Sequence, residues 1–293
     1  MQVTSLRTTA LPLSVMALRP GVTLCTYADT LRVPASDNLS LFKAKAQGAD
    51  VRMVYSCSDA LRIAQDEPER EVVFFAIGFE TTTPPTAVVI KQAAALGLKN
   101  FSVFCNHVLT PAAMVHLMEL SAAGGADSVR IDGFVGPSHV STIIGSSPYE
   151  GFAARYRKPV VIAGFEPLDV MQSILMLVRQ INDGRAEVEN QFIRAVTREG
   201  NQKAQRLMGE VFEMREAFDW RGLGEVPSSA LKIREDFAAF DAERRFAIPY
   251  RQVPDPKACE CAAILRGQKH PSDCKVLRTF DGGRSQKLCG GSR

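Results

Sequence analysis

The stretch EVVFFAIGFETTTPP, residues 71–85, begins like a buried strand and ends like the start of a helix. Its first residues are β-branched or aromatic without polar alternation, which is typical of a strand covered on both faces. Gly78 closes the apolar run, and the threonines and prolines after it suit the first turn of a helix. The segment therefore predicts a strand–turn–helix unit that carries Glu80 at the carboxyl end of the strand.

A near copy of this turn occurs later in the chain. KPVVIAGFEPLD, residues 158–169, is a second apolar run that ends in Gly-Phe-Glu and continues with proline. The two turns predict an internal duplication, with two similar halves that present Glu80 and Glu166 to a shared cleft. The alternative is that each glutamate only caps a helix, where the positive end of the helix dipole favours a carboxylate.

The same alternation of strands and helices covers most of the chain from residue 20. Further strand-like runs are GVTLCTYA, DVRMVYS, NFSVFCNHV and RIDGFVGP. Helix-like stretches between them are SDALRIAQDEPER, PPTAVVIKQAAALGL and PAAMVHLMELSAAGG. This order predicts an α/β fold whose parallel sheets are covered by helices on both sides, with the carboxyl ends of the strands along one edge.

From about residue 168 the pattern becomes helical. PLDVMQSILMLVRQIND and NQKAQRLMGEVFEMREAF are predicted to be amphipathic packing helices, and no cofactor role is expected for their methionines. Trp220 is predicted to be a packing anchor, and the segment IPYRQVPDP is the clearest linker. The predicted divisions are a leader at 1–19, a first and incomplete α/β domain at 20–84, a second α/β domain with returning helices at 85–245, and a cysteine-rich tail at 246–293.

Composition restricts the class of partner. The formal net charge of +3 is spread along the 293 residues without a basic patch, so nucleic acid is not expected. No apolar run reaches the roughly 18 residues that a membrane span needs. Pro12 interrupts the short apolar run near the N-terminus, which argues against a signal peptide, and we expect a cytoplasmic protein.

The cysteines fall into two groups. Seven are present, an odd number that does not fit a disulfide framework. Cys25, Cys57 and Cys105 lie in or beside apolar runs and are expected to be buried. The other four crowd into the tail, where four thiolates could hold an iron–sulfur cluster or a structural zinc; a disordered tail is the alternative. These four are Cys259, Cys261, Cys274 and Cys289.

Two histidines follow predicted strands. His107 closes NFSVFCNHV, and His139 lies in GPSHVSTIIG just after another strand. Both positions suit an acid, a base or a ligand, and His139 would face the shared cleft with the two glutamates. The alternative is that each imidazole only bonds to neighbouring backbone. Cys105 beside His107 is a weak signal for nucleophilic catalysis, and His116 is expected to be structural.

Taken together, these residues resemble the HypD family of hydrogenase maturation factors. The matching stretches follow in family order from about residue 20 to residue 275. They are GFETT (78–82), FCNHVLTPAAM (104–114), GFVGPSHVSTIIG (133–145), AGFEPLDVMQSILMLVRQ (163–180), EVENQF (187–192), FDWRGLGEVP (218–227) and CECAAILRGQKHPSDCK (259–275).

The resemblance implies two Rossmann-like parallel-sheet domains, the first incomplete here, plus a small cysteine-rich segment that carries a 4Fe-4S cluster. It implies a scaffold, and not a turnover enzyme, that works with HypC and HypE on the Fe(CN)2CO unit of NiFe-hydrogenases and holds iron transiently. Cys259, Cys261, Cys274 and Cys289 would bind the cluster, with the first three as metal ligands. The site residues implied at matching positions are Glu80, Thr81, Thr82, His139, Ser141, Glu166 and Asp169.

The sequence departs from the family pattern in two places, and both concern whether the chain can carry out the family's function. Family members carry Cys-Gly-x-His-x-His and Gly-Pro-Gly-Cys-Pro-x-Cys stretches upstream of GVTLCTYADTLRVP, and neither is present here. FDGGRSQKLCGGSR, residues 280–293, replaces the family tail. Both predict a truncated copy that is impaired. A different hypothesis is a stand-alone α/β transferase for a small acyl or carbamoyl substrate, with His139 and Glu80 as acid or base.

Overall fold

The first sheet has four parallel strands. A computed structural model of the chain describes residues 16–33, 40–122, 131–220, 222–247 and 260–274. The strand order is β2–β1–β3–β4, and every pairing is parallel. The strand predicted before Gly78 is confirmed as β3, with neighbours on both sides. The strands are β1 (Val22–Thr26), β2 (Asp50–Met53), β3 (Glu71–Gly78) and β4 (Phe101–His107).

The second sheet has three parallel strands in the order β5–β6–β7. The parallel α/β class predicted from the sequence is therefore confirmed in both sheets. The short strand β7 was not predicted, because three residues are too few to give a periodic pattern. The strands are β5 (Phe134–Pro137), β6 (Val160–Ala163) and β7 (Val188–Asn190).

Both faces of the first sheet are buried. Phe74 and Ala76 lie in one apolar cluster, and Val73 and Phe75 in another, as expected for successive side chains on opposite faces of a strand. The first cluster includes residues of α2 and α3, and the second includes residues of α1. These helices are α1 (Leu41–Ala46), α2 (Cys57–Asp66) and α3 (Thr83–Ala95).

The second sheet has its own core. Val160 and Ile162 of β6 pack with Tyr149 and Phe152 on one face, and α7 covers β6 from another side. Met118 of α4 joins this cluster, whereas Ala113 of the same helix packs with Trp220, so α4 contributes to two cores. The helices are α4 (Thr110–Ala122), α5 (Ser138–Ile144), α6 (Glu150–Tyr156) and α7 (Pro167–Asn182).

The segment after residue 200 returns to the first sheet. The helix predicted over NQKAQRLMGEVFEMREAF is α8 (Gln202–Val211) and ends seven residues early, at Val211. That part of the prediction was wrong because Phe212 pairs with Ile233 in an antiparallel ladder, so tertiary pairing overrides helix propensity. The strands involved are β8 (Phe212–Met214) and β11 (Leu231–Ile233).

Between β8 and β11 lies a second antiparallel pair, β9 (Ala217–Trp220) and β10 (Gly224–Pro227). Trp220 is buried, and its indole N–H donates to the Ser229 hydroxyl at 2.8 Å. The prediction that Trp220 is a packing anchor is confirmed. Two further short α-helices follow, namely α9 (Ala242–Arg245) and α10 (Cys261–Leu265).

The boundary predicted between the two α/β domains, at residues 84 and 85, does not coincide with the division of the strands into two sheets. The strand β4 was assigned to the second domain, yet it pairs with β3 along seven residue pairs in the first sheet. The returning pair β8–β11 likewise packs on the first sheet, in the cluster that holds Phe74. Residues 1–15 of the predicted leader lie outside the described part of the chain. Among the described residues, no helix is long and apolar enough to cross a bilayer.

Candidate functional site

The first Gly-Phe-Glu turn is built around Gly78. Its φ of +146° is a conformation that L side chains rarely adopt, and an added Cβ would lie 2.1 Å from the Thr82 hydroxyl oxygen. The Thr82 hydroxyl donates to the Phe79 carbonyl at 3.0 Å, and the Thr83 hydroxyl donates to the same oxygen at 3.1 Å. Thr81 is half-buried in this turn. The glycine therefore allows the threonines to close the turn tightly.

Glu80 points into the protein from this turn. It is 1% exposed, and it accepts hydrogen bonds from the Thr110 backbone N–H at 2.8 Å and from the Thr110 hydroxyl at 3.1 Å. Burial raises the pKa of Glu80 to about 6. These contacts agree with the alternative that the glutamate caps a helix. The capped helix is α4, however, and not α3, which directly follows Glu80 in the sequence.

His107 lies beside the same turn, at the end of β4. It is 1% exposed, and its Nε2 lies 3.0 Å from the Thr86 hydroxyl. Its ring packs edge-on against Phe212. Burial lowers the pKa of His107 to about 3, so the imidazole is neutral in the folded protein. Its side-chain contacts are therefore structural, and Cys105 beside it is fully buried with a raised pKa.

The second Gly-Phe-Glu turn repeats the first in plan. A Cβ on Gly164 would lie 2.0 Å from Oδ2 of Asp169, the residue in the first turn of α7. Glu166 is the N-cap of that helix and forms a capping box with Asp169. The side chain of Glu166 is exposed, unlike that of Glu80. The two turns thus share their backbone plan but orient their carboxylates differently.

Asp169 is held by residues that follow β7. Arg194 donates to both of its carboxylate oxygens, at 3.0 and 2.5 Å, and Gln191 Nε2 donates at 2.9 Å. These bonds, with Arg194 foremost, lower the pKa of Asp169 to about 2. The Arg194 guanidinium also lies 4.3 Å from the centre of the Phe192 ring. Sequence reasoning missed Arg194 and Gln191, because only the parallel pairing of β6 and β7 brings them to this rim.

His139 contacts the second turn directly. Its ring centre lies 4.3 Å from that of Phe165, the aromatic residue of the second Gly-Phe-Glu. Both side chains are exposed. His139 and Glu166 therefore share the rim of the second sheet and are open to a ligand.

Ser141 is placed differently from His139. It is fully buried, and its hydroxyl donates to the Pro137 carbonyl at 2.7 Å and lies 3.3 Å from the Tyr149 hydroxyl. Burial raises the pKa of Tyr149, and the charge of Glu80 adds to that rise. Glu80 is thus within electrostatic range of the second lobe, whereas Ser141 is not open to solvent as a nucleophile would be.

A pocket of about 400 Å³ lies between the two rims. Phe79 of the first turn lines it on one side, and Pro137 and Val140, which flank His139, line it on the other. Leu265 of α10 adds a residue from the cysteine-rich tail. The wall is almost entirely apolar, so the predicted carboxylates do not form it. The remaining lining residues are Thr110, Ala113, Met114, Leu117, Ile131, Phe134, Val135 and Leu223.

The described thiols of the tail are Cys261 and Cys274. Cys261 opens α10, Cys274 follows the short helical turn Pro271–Asp273, and neither forms a disulfide. Cys259 and Cys289 lie outside the described residues. No group of three or more His, Cys, Asp or Glu side chains placed to hold a metal occurs in the described ranges. Two thiols outside any disulfide, within one short segment, fit the donor chemistry of an iron–sulfur cluster.

Fold and rim residues together define an α/β protein with two parallel sheets, paired Gly-Phe-Glu turns and a thiol-bearing tail. The model of the HypD family, described as the hydrogenase formation hypA family, matches residues 9–280. The chain belongs to the HypD family.

Individual relatives agree with this assignment. The hydrogenase maturation factor HypD of Cupriavidus necator is 65% identical over 264 residues, which is 90% of this chain and 70% of that protein. HypD of Azotobacter vinelandii is 66% identical over 262 residues, 89% of this chain and 69% of the relative. HypD of Escherichia coli K12 is 42% identical over 262 residues, 89% of this chain and 68% of the relative. These relatives do not favour the stand-alone transferase hypothesis.

Proposed function

We propose that this chain serves hydrogenase maturation as a HypD-type scaffold, on which HypC-type and HypE-type proteins assemble the Fe(CN)2CO unit. The observation that carries the proposal is the pocket between the rims. Ten of its twelve lining residues come from five of the stretches that carry the family resemblance, including GFETT through Phe79, GFVGPSHVSTIIG through Pro137 and the tail through Leu265. Stretches far apart in sequence thus converge on one surface, as a shared assembly site requires.

The side chains at this site divide by exposure. His139 and Glu166 are exposed, so they are the residues that would contact incoming iron or its ligands. Glu80, Ser141 and Asp169 are buried and hydrogen-bonded, so they would position the turns and helices that carry those residues. Thr81 and Thr82, both half-buried, would hold the first turn in place. Iron in this proposal is cargo that passes through the site.

The tail would hold a 4Fe-4S cluster through Cys259, Cys261, Cys274 and Cys289. Such a cluster supplies one-electron transfer when it is bound. The Cys261 and Cys274 thiols, neither of which is in a disulfide, support the proposal, since thiolates are the donors that such clusters use. The role of this chain's residues would be to fix the cluster beside the pocket, because Leu265 links the cysteine segment to the pocket wall. Cysteines that form no disulfide also suit the reducing cytoplasm, which we propose as the location of the protein.

Anaerobic co-purification tests the proposal. The chain is expressed with tagged HypC-type and HypE-type proteins from one operon, and iron, acid-labile sulfide and bound protein are measured. We expect a stable complex with the HypC-type protein and visible absorption from a cluster. A soluble chain that carries no iron or sulfide and retains neither partner would contradict the proposed function.

A further inference from the structure

The segment that follows β7, residues 191–194, binds the second Gly-Phe-Glu turn through the side chain of Gln191. The amide oxygen of Gln191 accepts from the Gly164 backbone N–H at 3.2 Å, and its amide nitrogen donates to Asp169 Oδ1 at 2.9 Å. The Gln191 backbone N–H donates to the Ile162 carbonyl of β6 at 2.9 Å. One glutamine therefore joins the glycine that opens the turn to the aspartate in the first turn of α7.

The Arg194 side chain lies between a carboxylate and an aromatic ring. Its guanidinium donates to both carboxylate oxygens of Asp169, at 3.0 and 2.5 Å, and lies 4.3 Å from the centre of the Phe192 ring. A planar guanidinium that makes two bonds to one carboxylate fixes the orientation of that carboxylate, which a lysine ammonium does not do. Arg194 therefore determines where the Asp169 carboxylate lies, although half of the arginine side chain is exposed.

The Asp169 carboxylate packs against the backbone of the turn. Its Oδ2 accepts from the Glu166 backbone N–H at 3.4 Å. A Cβ added to Gly164 would lie 2.0 Å from the same oxygen and 2.8 Å from Cδ2 of Phe192. Asp169 and Phe192 thus leave room at this position only for a residue without a side chain. A displacement of the carboxylate would release the backbone on both sides of Phe165.

Phe165, the middle residue of the turn, connects this arrangement to His139. The centres of the two rings lie 4.3 Å apart, with the ring planes at 45°. Phe165 is 65% exposed, and His139, in the first turn of α5, is exposed as well. Solvent therefore borders both rings, so the contact between them changes when the turn moves.

We propose that Arg194, together with Gln191, is a positioning residue for His139. By holding Asp169 against the second turn, Arg194 sets the place of Phe165 and hence of the His139 ring at the rim. Arg194 acts through these residues and does not itself contact cargo, since its guanidinium is bound by Asp169. The use of this placement in maturation rests on the proposed function, in which His139 contacts incoming iron or its ligands.

Histidine NMR of the full chain tests the placement. His139→Gln identifies the ring resonances of His139, and Phe165→Leu gives the change in their chemical shift when the neighbouring ring current is lost. We expect Arg194→Met to produce most of that change. Gly164→Ala should act in the same direction, because its Cβ would displace the Asp169 carboxylate. Arg194→Lys should produce only part of the change, since an ammonium keeps the charge but not the two parallel bonds.

Arg185→Met is the matched control. Arg185 precedes β7 as Arg194 follows it, and it donates to Glu187 and Glu189 at 3.1 and 3.0 Å. The exposed fraction of its side chain is 38%, against 50% for Arg194. Loss of Arg185 removes an arginine with two ion pairs from the same strand, but at the end of the strand away from the turn. The His139 resonances should therefore stay at their wild-type positions.

Two results would overturn the placement. The first is a set of His139 resonances that stays unchanged in both Arg194→Met and Arg194→Lys, in protein that still unfolds cooperatively on heating. The second is an equal change in Arg185→Met. Should Arg194→Met fail to fold, the comparison of Arg194→Lys with Arg185→Lys decides instead.

Hydrogenase activity in a strain without its own HypD separates this inference from the proposed function. If the wild-type chain restores activity, Arg194→Met should lower it to a similar extent as His139→Ala, whereas Arg185→Met should not. A shifted His139 resonance without any loss of activity would overturn the use of the placement in maturation. A wild-type chain that restores no activity contradicts the proposed function, and the NMR comparison still decides whether Arg194 positions His139.

Discussion

Glu80 accepts hydrogen bonds from both the backbone N–H and the hydroxyl of Thr110, at 2.8 and 3.1 Å. The pair joins the turn after β3 to the first residue of α4, which follows β4. Two neighbouring strand ends of the first sheet are thus locked together by one buried carboxylate. The same carboxylate acts electrostatically on Tyr149 of the second lobe.

The burial of Glu80 predicts a pH-dependent stability. Burial raises its pKa to about 6 from the ordinary 4.5, so the protonated form favours folding and this contribution is lost as the pH rises from 4.5 through 6. Glu80→Gln stays neutral, so relative to wild type its free energy of unfolding should rise by about 2 kcal/mol over that interval. Urea denaturation at several pH values measures the difference. Glu225→Gln, an exposed site, is the control; equal slopes for Glu80→Gln and wild type would refute the assignment.

The His107 imidazole should remain neutral at pH values well below the ordinary pKa of histidine. Burial lowers its pKa to about 3 from 6.5, so it stabilises the folded state above 6.5 and this contribution is lost progressively as the pH falls towards 3. NMR of the ring protons should show no titration of His107 between about pH 8 and pH 5. A midpoint inside that window would mean that the imidazole is not enclosed by Thr86 and Phe212.

Gly78→Ala should be strongly destabilising. The added Cβ would meet the Thr82 hydroxyl at 2.1 Å, and the φ of +146° is strained for alanine. We expect a loss of about 3 kcal/mol in the free energy of unfolding. Gly151→Ala in α6, where nothing lies within 4 Å of the new Cβ, should be neutral or stabilising. Thermal denaturation gives the melting temperatures of Gly78→Ala and Gly151→Ala. Similar melting temperatures for the two variants would contradict the close contact between residue 78 and Thr82.

Cys261→Ser should remove the proposed cluster. Substitution of one of four thiolate ligands should lower iron and acid-labile sulfide several-fold in anaerobically purified protein. Cys57→Ala provides a control, because Cys57 is a buried core residue at the start of α2. Iron content unchanged in Cys261→Ser, or reduced equally in both variants, would argue against the cysteine tail as the binding site.

Local sequence patterns predicted the strands and the turns. Runs of β-branched and aromatic residues identified six of the seven strands in the two parallel sheets, since such runs have few other stable conformations. Gly78 and Pro167 were correctly placed at a strand end and at the first position of a helix. Each of these features depends on residues that are close in sequence.

Contacts between distant residues could not be predicted in this way. Glu80 caps α4, thirty residues further along the chain, and no local signal names Thr110 as its partner. Asp169 on the inward face of α7 is bound by Arg194, twenty-five residues further along the chain. The apolar residues Met171, Ile174 and Val178, on a helix predicted to pack, are exposed instead. The end of α8 at Val211 depends on strand pairing with residues around Ile233.

Complementation of a strain that lacks its own HypD tests the proposed role most directly. The chain is expressed in that strain, and hydrogenase activity is measured against the empty vector, with His139→Ala as a variant at the exposed rim. A HypD-type scaffold predicts activity above the empty vector for the chain and less for His139→Ala. Activity at the empty-vector level, with the chain soluble and abundant in the cell, would contradict it.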